Sequence, residues 1–334
     1  MDKVVTIAHG GGGTRMQELL RDTIFPLLDE AVLLDAEDAA CVELPPGRVA
    51  ITTDSFVVSP LFFPGGDIGK LAVCGTVNDL AMRGAEPLFL TLGLILEEGL
   101  SFEVLEKVLR SVGRWAAEAG VRVVTGDTKV VERGMADGLY INTAGVGVIR
   151  EGREVSIAGA LPGDAILVNG FLGDHGIAVL SNREGFSFDV ELDSDCAPLN
   201  RLADAMLDTG EVHALRDPTR GGIAAALKEM AASSGCSIEL VEDDIPVREE
   251  VRAVCEMLGL DPLYVANEGK LVAAVPDADA GCVLAAMRHS PYGRDARAIG
   301  RATGGRPGEV SITTPLGSHR LLRMPSGEQL PRIC

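Results

Sequence analysis

The 334-residue chain lacks the common signatures of nucleotide, zinc and serine chemistry. It has no Gly-x-x-x-x-Gly-Lys-[Ser/Thr] loop, which excludes a P-loop. No Gly-x-Gly-x-x-Gly follows a strand with an acid about 20 residues further on, which weakens a Rossmann reading. Neither Gly-x-Ser-x-Gly nor His-Glu-x-x-His occurs. The seven cysteines, at 41, 74, 196, 236, 255, 282 and 334, include no Cys-x-x-Cys, so a zinc cage is not expected. Their odd number and wide scatter argue for free thiols. No apolar run approaches the ~18 residues of a membrane span. Met1–His9 has neither the basic region nor the long apolar core of a signal peptide, so a cytoplasmic protein is expected. Positive charge is short as well. Lys and Arg total 30 against 49 Asp and Glu, a net charge of -19. With the acid spread over both halves, a nucleic-acid duplex or an anionic membrane would be repelled. Only His319–Cys334 reverses the balance, with Arg320, Arg323 and Arg332 against Glu328.

What is abundant is glycine, 40 residues without a collagen period, lying between apolar runs. That pattern signals tight turns and close backbone approaches. Val49–Thr53 reads as a strand ending at Asp54, Ile68–Arg83 as a helix and Leu88–Leu96 as a strand. Ser101 caps a helix whose Leu105, Val108, Leu109, Val112, Trp115 and Ala119 keep the 3.6 period until Gly120 ends it. Val121–Val124 is a strand running into Thr125-Gly126-Asp127-Thr128-Lys129, and Leu139–Ile149 is another. Further strands are expected at Asp164–Asn169, Ser237–Val241 and Lys270–Val275, with a helix at Gly221–Ser233. No repeat of 20–50 residues is present. The alternation of strands and helices indicates two α/β or α+β domains joined near residues 150–160.

Acidic residues recur beside glycine at strand ends and helix starts: Asp54, Asp79, Asp127 and Asp217. Each alone reads as easily as a turn former or cap. Gathered together, they would repel one another unless a hard cation such as Mg²⁺ neutralised them, and glycine beside them would let phosphate approach the backbone. Lys129 could balance phosphate charge, serve as a base if burial lowers its pKa, or be a solvated loop lysine. Glu268, before a strand, is a candidate base or an ordinary turn carboxylate. His9 and Gly10–Gly13 read equally as an anion-binding nest or a loose arm, and His175 beside Asp174 is too little for a triad. The chain ends on Cys334, after a Pro- and Gly-containing segment whose ten steps from Met324 span up to roughly 35 Å. Such a thiol is reachable and could swing into a domain cleft.

Read together, Ala8-His9-Gly10-Gly11-Gly12-Gly13, Thr52-Thr53-Asp54-Ser55, Leu61-Phe62-Phe63-Pro64-Gly65-Gly66-Asp67-Ile68-Gly69-Lys70, Gly75-Thr76-Val77-Asn78-Asp79, Thr125-Gly126-Asp127-Thr128-Lys129, Asp217-Pro218-Thr219-Arg220-Gly221-Gly222, Asn267-Glu268-Gly269-Lys270 and Pro331-Arg332-Ile333-Cys334 resemble the HypE family of hydrogenase-maturation carbamoyl dehydratases. Several of these pieces are shared with aminoimidazole ribonucleotide synthetase, selenophosphate synthetase and thiamine monophosphate kinase. The Pro-Arg-Ile-Cys terminus separates the HypE family from them. The resemblance implies a PurM-like α/β (α+β) architecture. Residues 1–155 would form an ATP-binding and dimerisation domain, 156–318 an α+β domain, and 319–334 a flexible tail ending in the modified cysteine. It implies a homodimer, with Mg²⁺ and ATP held by Asp54, Asp79, Asp127 and Asp217, and Lys70, Asn78 and Thr128 in the nucleotide site. Lys129 and Glu268 would lie near Cys334. A carbamoyltransferase, HypF, would place a carboxamide on that sulfur. ATP-driven dehydration would turn it into a thiocyanate, and the nitrile would pass to iron on a HypC–HypD scaffold for [NiFe]-hydrogenase assembly.

Two other readings remain at this point: a phosphotransferase of the same superfamily, whose turnover would not need Cys334, and a carrier in which ATP only moves the tail.

Overall fold

The computed structural model describes residues 4–28, 30–35, 39–183, 191–325, 327 and 330–334. Thr14–Leu19 (α1) and Phe25–Leu28 (α2) flank a π-helical turn, Leu20–Ile24. Then come β1 (Arg48–Phe56), the two-residue strands β2 (Phe62–Phe63) and β3 (Gly66–Asp67), α3 (Ile68–Ala81), β4 (Ala85–Glu97), α4 (Phe102–Ala119), β5 (Arg122–Val131) and β6 (Leu139–Ile149). The long strands form one sheet in the order β1-β6-β4-β5. Only β4 and β5 are parallel, and α4 supplies the crossover that a parallel pair requires.

Local chemistry accounts for the two helices under this sheet. Ser101 Oγ accepts the Val104 N–H at 3.2 Å, and Gly120 closes α4 at φ 77°, a left-handed cap that costs glycine little. The apolar stripe of α4 is buried and its charged face is solvated. Helix α3 is different: every residue except Asp79 is buried, as expected of a helix apolar all round. A Cβ on its Gly69 would lie 2.6 Å from the Val108 carbonyl, so glycine is what lets α3 and α4 touch. Asp67 caps α3, its Oδ1 accepting from the N–H groups of Gly69 and Lys70.

The strands run longer than their sequence signals suggest. β1 extends through Asp54 to Phe56, and β5 continues through the whole Gly-Asp-Thr-Lys segment to Val131. Pairing with β4 as far as Glu97↔Val131 overrides the local glycine, as tertiary context commonly does for strands. Thus Asp127 and Lys129 are strand residues rather than loop residues.

The second half contains β7 (Ala165–Val168), α5 (Asp174–Ser181), α6 (Asn200–Thr209), β8 (Ala214–Arg216), α7 (Gly222–Ser234), β9 (Ser237–Val241), α8 (Glu249–Leu258), β10 (Val272–Val275), α9 (Asp277–His289), β11 (Arg297–Thr303), β12 (Val310–Thr313) and β13 (His319–Leu321). Its sheet runs β13-β12-β9-β11-β7-β10-β8. In β7, Ile166 and Val168 enter one core with α7, while Ala165 and Leu167 enter another with α6 and α9. A strand covered on both faces reads as a continuous apolar run, which is how this strand is written. The core beneath the first sheet also takes in Val179, Cys196, Ala266 and Ile333 from the second half, so the two halves share a packed boundary. Of the segment expected as a tail, His319–Leu321 is the edge strand β13 and Ile333 is buried. Among the described residues no helix is long and apolar enough to cross a membrane.

Candidate active site

Asp54 and Asp79 meet where β1 faces α3. Thr52 Oγ1 donates to Asp79 Oδ2 at 2.7 Å, and the Ser55 N–H donates to Asp54 Oδ1 at 2.8 Å. Asp217, just after β8, and Glu268, just before β10, approach from the second half. Their electrostatics show the grouping. Burial pushes Asp54 up and Asp79 adds to it. Asp79 is itself raised by burial. Burial and then Asp79 push Asp217 up to about 6, with Asp54 contributing. Glu268 is raised well above the carboxylate range, first by burial, then by Cys196, Asp217, Asp195 and Asp54. Arg216 and Arg220 offset part of this repulsion.

Among the described residues no group of three or more His, Cys, Asp or Glu is placed to hold a metal ion by itself. The donor set nevertheless fits a hard cation. It offers carboxylate oxygens only, half-buried at Asp54, Asp79 and Asp217 and crowded enough to raise the pKa of Asp54 and Asp217, which is the repulsion that Mg²⁺ relieves.

Glu268 is held firmly. Its N–H donates to Asp195 Oδ1 at 3.0 Å, and its carbonyl accepts from Asn78 Nδ2 at 3.2 Å. Its own Oε1 is buried without a hydrogen-bond partner among the described residues. Asn78 also donates to the Ala197 carbonyl and accepts from the Leu199 N–H. Its side chain therefore ties α3 to the second half and positions Glu268. Lys70 lies at the other end of α3 from Asp79, about 13.5 Å along the axis at 1.5 Å per residue. Its Nζ donates to the Gly65 carbonyl at 2.8 Å and sits over the Trp115 ring.

Asp127, Thr128 and Lys129 lie elsewhere. The register Ser55↔Asn142↔Gly93↔Asp127 puts Asp127 three strands from β1, about 14 Å away at ~4.8 Å per strand. It shares the outward face with Ser55, whereas Asp54 faces α3. Thr128 points inward and is buried. Asp127 Oδ1 accepts from Lys129 Nζ at 2.6 Å, both side chains being about two-thirds exposed. That bond holds Asp127 below its ordinary value. Within one chain the structure thus brings together Asp54, Asp79, Asp217 and Glu268, and leaves Asp127 and Lys129 apart.

The terminal residues run beside the end of β1. The Val57 N–H donates to the Cys334 carbonyl at 3.1 Å and the Ser59 N–H to the Arg332 carbonyl at 3.2 Å. Cys334 packs, partly buried, against the core under the first sheet. His175, which the sequence left without a role, is fully buried, with Nε2 3.0 Å from the Ile333 carbonyl. Arg183, not singled out by any motif, reaches the carbonyls of Pro331 and Arg332. His9 folds back on Thr6 within a 3-10 helix, Ile7–Gly10, and Gly11–Gly13 forms an exposed bend into α1.

Residues 36–149 match the family model "AIR synthase related protein, N-terminal domain", and 162–313 match its C-terminal counterpart. The chain is 52% identical over 331 residues to the carbamoyl dehydratase HypE of Azotobacter vinelandii, covering 99% of this chain and 97% of that one. A crystal structure of hydrogenase maturation protein HypE in complex with ATP superposes with a TM-score of 0.95 at 48% identity, over 98% of this chain and 99% of that one. A crystal structure of a HypE–HypF complex matches with a TM-score of 0.81 at 48% identity, over 94% of this chain and 100% of that one. With relatives this similar over their full length, the chain belongs to the carbamoyl dehydratase HypE family, built on the AIR synthase related fold.

Proposed function

We propose that this carbamoyl dehydratase acts on its own last residue, converting an S-carboxamide on Cys334 to a thiocyanate at the expense of ATP. The observation that carries this reading is the seat of the terminus. Cys334 is bonded to Val57, just past the end of the strand that bears Asp54 and three residues beyond that carboxylate. The ATP-bound HypE structure supports ATP as the co-substrate.

An amide oxygen leaves poorly. Transfer of the γ-phosphoryl group onto it turns it into phosphate, which departs as the C–O bond breaks. Removal of the two N–H protons then completes the nitrile, so carboxamide and ATP give thiocyanate, ADP and phosphate. Asp54, Asp79 and Asp217 are suited to hold Mg²⁺, which when bound supplies charge neutralisation to the transferred phosphoryl group. Glu268 has an unpartnered buried oxygen next to this group, which makes it the candidate to accept a proton from the amide nitrogen. Burial of Ile333 beside the thiol keeps water from the activated intermediate.

Asp127 and Lys129 can join such a site only from a second copy. They lie on a sheet face that exposes Val49, Ile51 and Ile95, and a second sheet packed there would cover them. A homodimer joined through these strands is therefore part of the reading. So are a carbamoyltransferase of the HypF type as donor, supported by the HypE–HypF complex, a HypC–HypD scaffold as acceptor of the nitrile, and a cytoplasmic location. The test is stoichiometry. ADP release should equal the water lost from the carbamoylated chain and vanish in Cys334→Ala; ADP release without dehydration would overturn the reading.

A further inference from the structure

Lys70 is a buried cation that the carboxylate cluster does not use. The residue is 8% exposed, yet its ammonium makes one hydrogen bond, to the Gly65 carbonyl, and no ion pair among the described residues. The Trp115 ring, its centroid 4.2 Å from Nζ, adds a cation–π contact. An ammonium carries three N–H donors, so two are left without an acceptor among the described residues. Withdrawing such a charge from water is costly unless an anion meets it. Lys70 lines a cleft of about 450 Å³ between the β2–β3 turn and α4, at the end of α3 remote from Asp79.

Lys107, Arg110 and Arg114 line the same cleft from α4. Spaced by three and four residues, they share one face of the helix, and the outer two lie about 10.5 Å apart along its axis at 1.5 Å per residue. Lys107 sits 4.0 Å from the Phe62 ring centroid and Arg114 5.4 Å from that of Trp115. Neither makes an ion pair among the described residues, and Arg110 has only an exposed one, with Glu106 at 3.5 Å. The one acid lining the cleft among the described residues is Asp67, and both its oxygens are engaged. Oδ1 accepts from the N–H groups of Gly69 and Lys70, and Oδ2 from the Ser111 hydroxyl at 2.7 Å. Four cations therefore face one cleft with no carboxylate left to meet them, in a chain whose net charge is -19. Both aromatic rings already carry cations, so the cleft offers positive charge and N–H donors rather than a bare ring on which a base could stack.

We propose that this cleft is a second ligand site, separate from the carboxylate cluster, which takes a small molecule bearing two or more oxyanion groups, phosphates or carboxylates. Lys70 meets one group at the buried end, where its two open N–H donors and the scarcity of water make the contact strong. Lys107, Arg110 and Arg114 meet the remaining charge along α4, the guanidinium forks matching either oxyanion. A single monovalent ion would satisfy Lys70 and leave the α4 cations unmet, which is why the ligand carries more than one anionic group. The proposal does not depend on Cys334 being the residue modified.

Trp115 is the only tryptophan in the chain, so its fluorescence reports on the cleft directly. The full-length protein, free of nucleotide and magnesium, is titrated with pyrophosphate and with citrate at constant ionic strength, against sodium chloride. At least one of the two should give a saturable change in Trp115 emission with a Kd below about 1 mM, and the tighter of them tells phosphate from carboxylate. Lys107 and Arg114 are exposed, and Lys107→Gln and Arg114→Gln should each weaken binding about threefold. Lys70→Met should weaken it about tenfold or more, as the loss of a buried charged contact does. Arg301→Gln, which removes an exposed cation of the second sheet, should leave the Kd unchanged. Removing a buried cation can disturb the fold, so the two α4 variants decide the matter without Lys70→Met. A response that matches sodium chloride or does not saturate, or a Kd that Lys107→Gln and Arg114→Gln combined leave unaltered, would overturn the site. Binding of a polyglutamate peptide without a response to either small anion would overturn it as well, by making the cleft a protein-docking surface. None of these readouts uses ATP turnover or Cys334, so the reading of function can fail while the site stands, and the reverse.

Discussion

The main-chain N–H of Val57 donates to the carbonyl oxygen of Cys334 at 3.1 Å. Val57 follows Asp54 by three residues, so the chain terminus docks about 10 Å along the strand direction from that carboxylate, at ~3.3 Å per residue. Backbone register, rather than side-chain recognition alone, sets where the thiol arrives. A terminus held in this way tolerates little change in its length.

Asp217 should make both nucleotide binding and apo stability depend on pH. Its folded value, about 6, lies above the ordinary 3.8 because of burial and the nearby Asp79. The folded apo chain therefore binds more protons than the unfolded chain between those values, and its stability falls as pH rises through that window. Mg-ATP needs the ionised form, so its affinity should weaken as pH drops below about 6. Asp217→Asn should stabilise the apo protein at pH 7, by at most about 3 kcal/mol for a shift of about two units, while cutting Mg-ATP affinity at least tenfold, the effect of losing one strong charged contact of roughly 1.5–3 kcal/mol. Calorimetric titration and thermal melts at pH 5 and 7.5 check both signs.

Asp54 and Asp127 face opposite sides of one sheet, which makes subunit complementation decisive. If each site draws Asp54 from one copy and Asp127 from the other, Asp54→Asn and Asp127→Asn homodimers should both be inactive. After the two are unfolded and refolded together, half the dimers are mixed and each has one intact site, so about a quarter of wild-type activity should return in a twofold-symmetric assembly. No recovery in a mixture shown to contain mixed dimers would place both carboxylates in one chain's site.

Gly269 follows the candidate base directly. A Cβ there would lie 1.8 Å from the Asp195 carbonyl oxygen and 3.0 Å from the Ala197 nitrogen. Backbone cannot yield as a flexible side chain can. Gly269→Ala should destabilise the fold by at least 1–3 kcal/mol, roughly the range for overpacking, and displace Glu268 from its bond to Asp195. A lowered Tm with dehydration lost more steeply than ATP binding is the expected outcome; an unaltered melt and rate would show that this contact does not fix Glu268.

Much of the framework was legible because local chemistry and fold agree. Ser101 and Gly120 bound α4 where the sequence put its ends, and the apolar run of β7 matched a strand buried on both faces. The carboxylate set was legible as residue types beside glycine, but its geometry was not. Thr125–Lys129 reads as a loop because of Gly126, yet a Cβ at Gly126 would lie 2.3 Å from the Leu92 carbonyl. That glycine marks close strand packing, a long-range fact invisible in the local sequence. The outward direction of Asp127 follows from that strand alone. Asn78 reads as a nucleotide contact by its motif, and nothing local in that motif shows that its amide also holds the Glu268 carbonyl, 190 residues away. His175 and Arg183 carry no signal at all, since their partners are main-chain carbonyls about 150 residues away in sequence, and such acceptors are the same at every residue.

The most direct measurement is intact-mass and peptide-mapped mass spectrometry of the full-length chain incubated with the carbamoyltransferase, carbamoyl phosphate and ATP. The mass of one carbamoyl group should appear on Cys334 and then fall by one water, the second change needing ATP on this chain. Acquisition and dehydration of the group on any other residue, or in Cys334→Ala, would overturn the assignment.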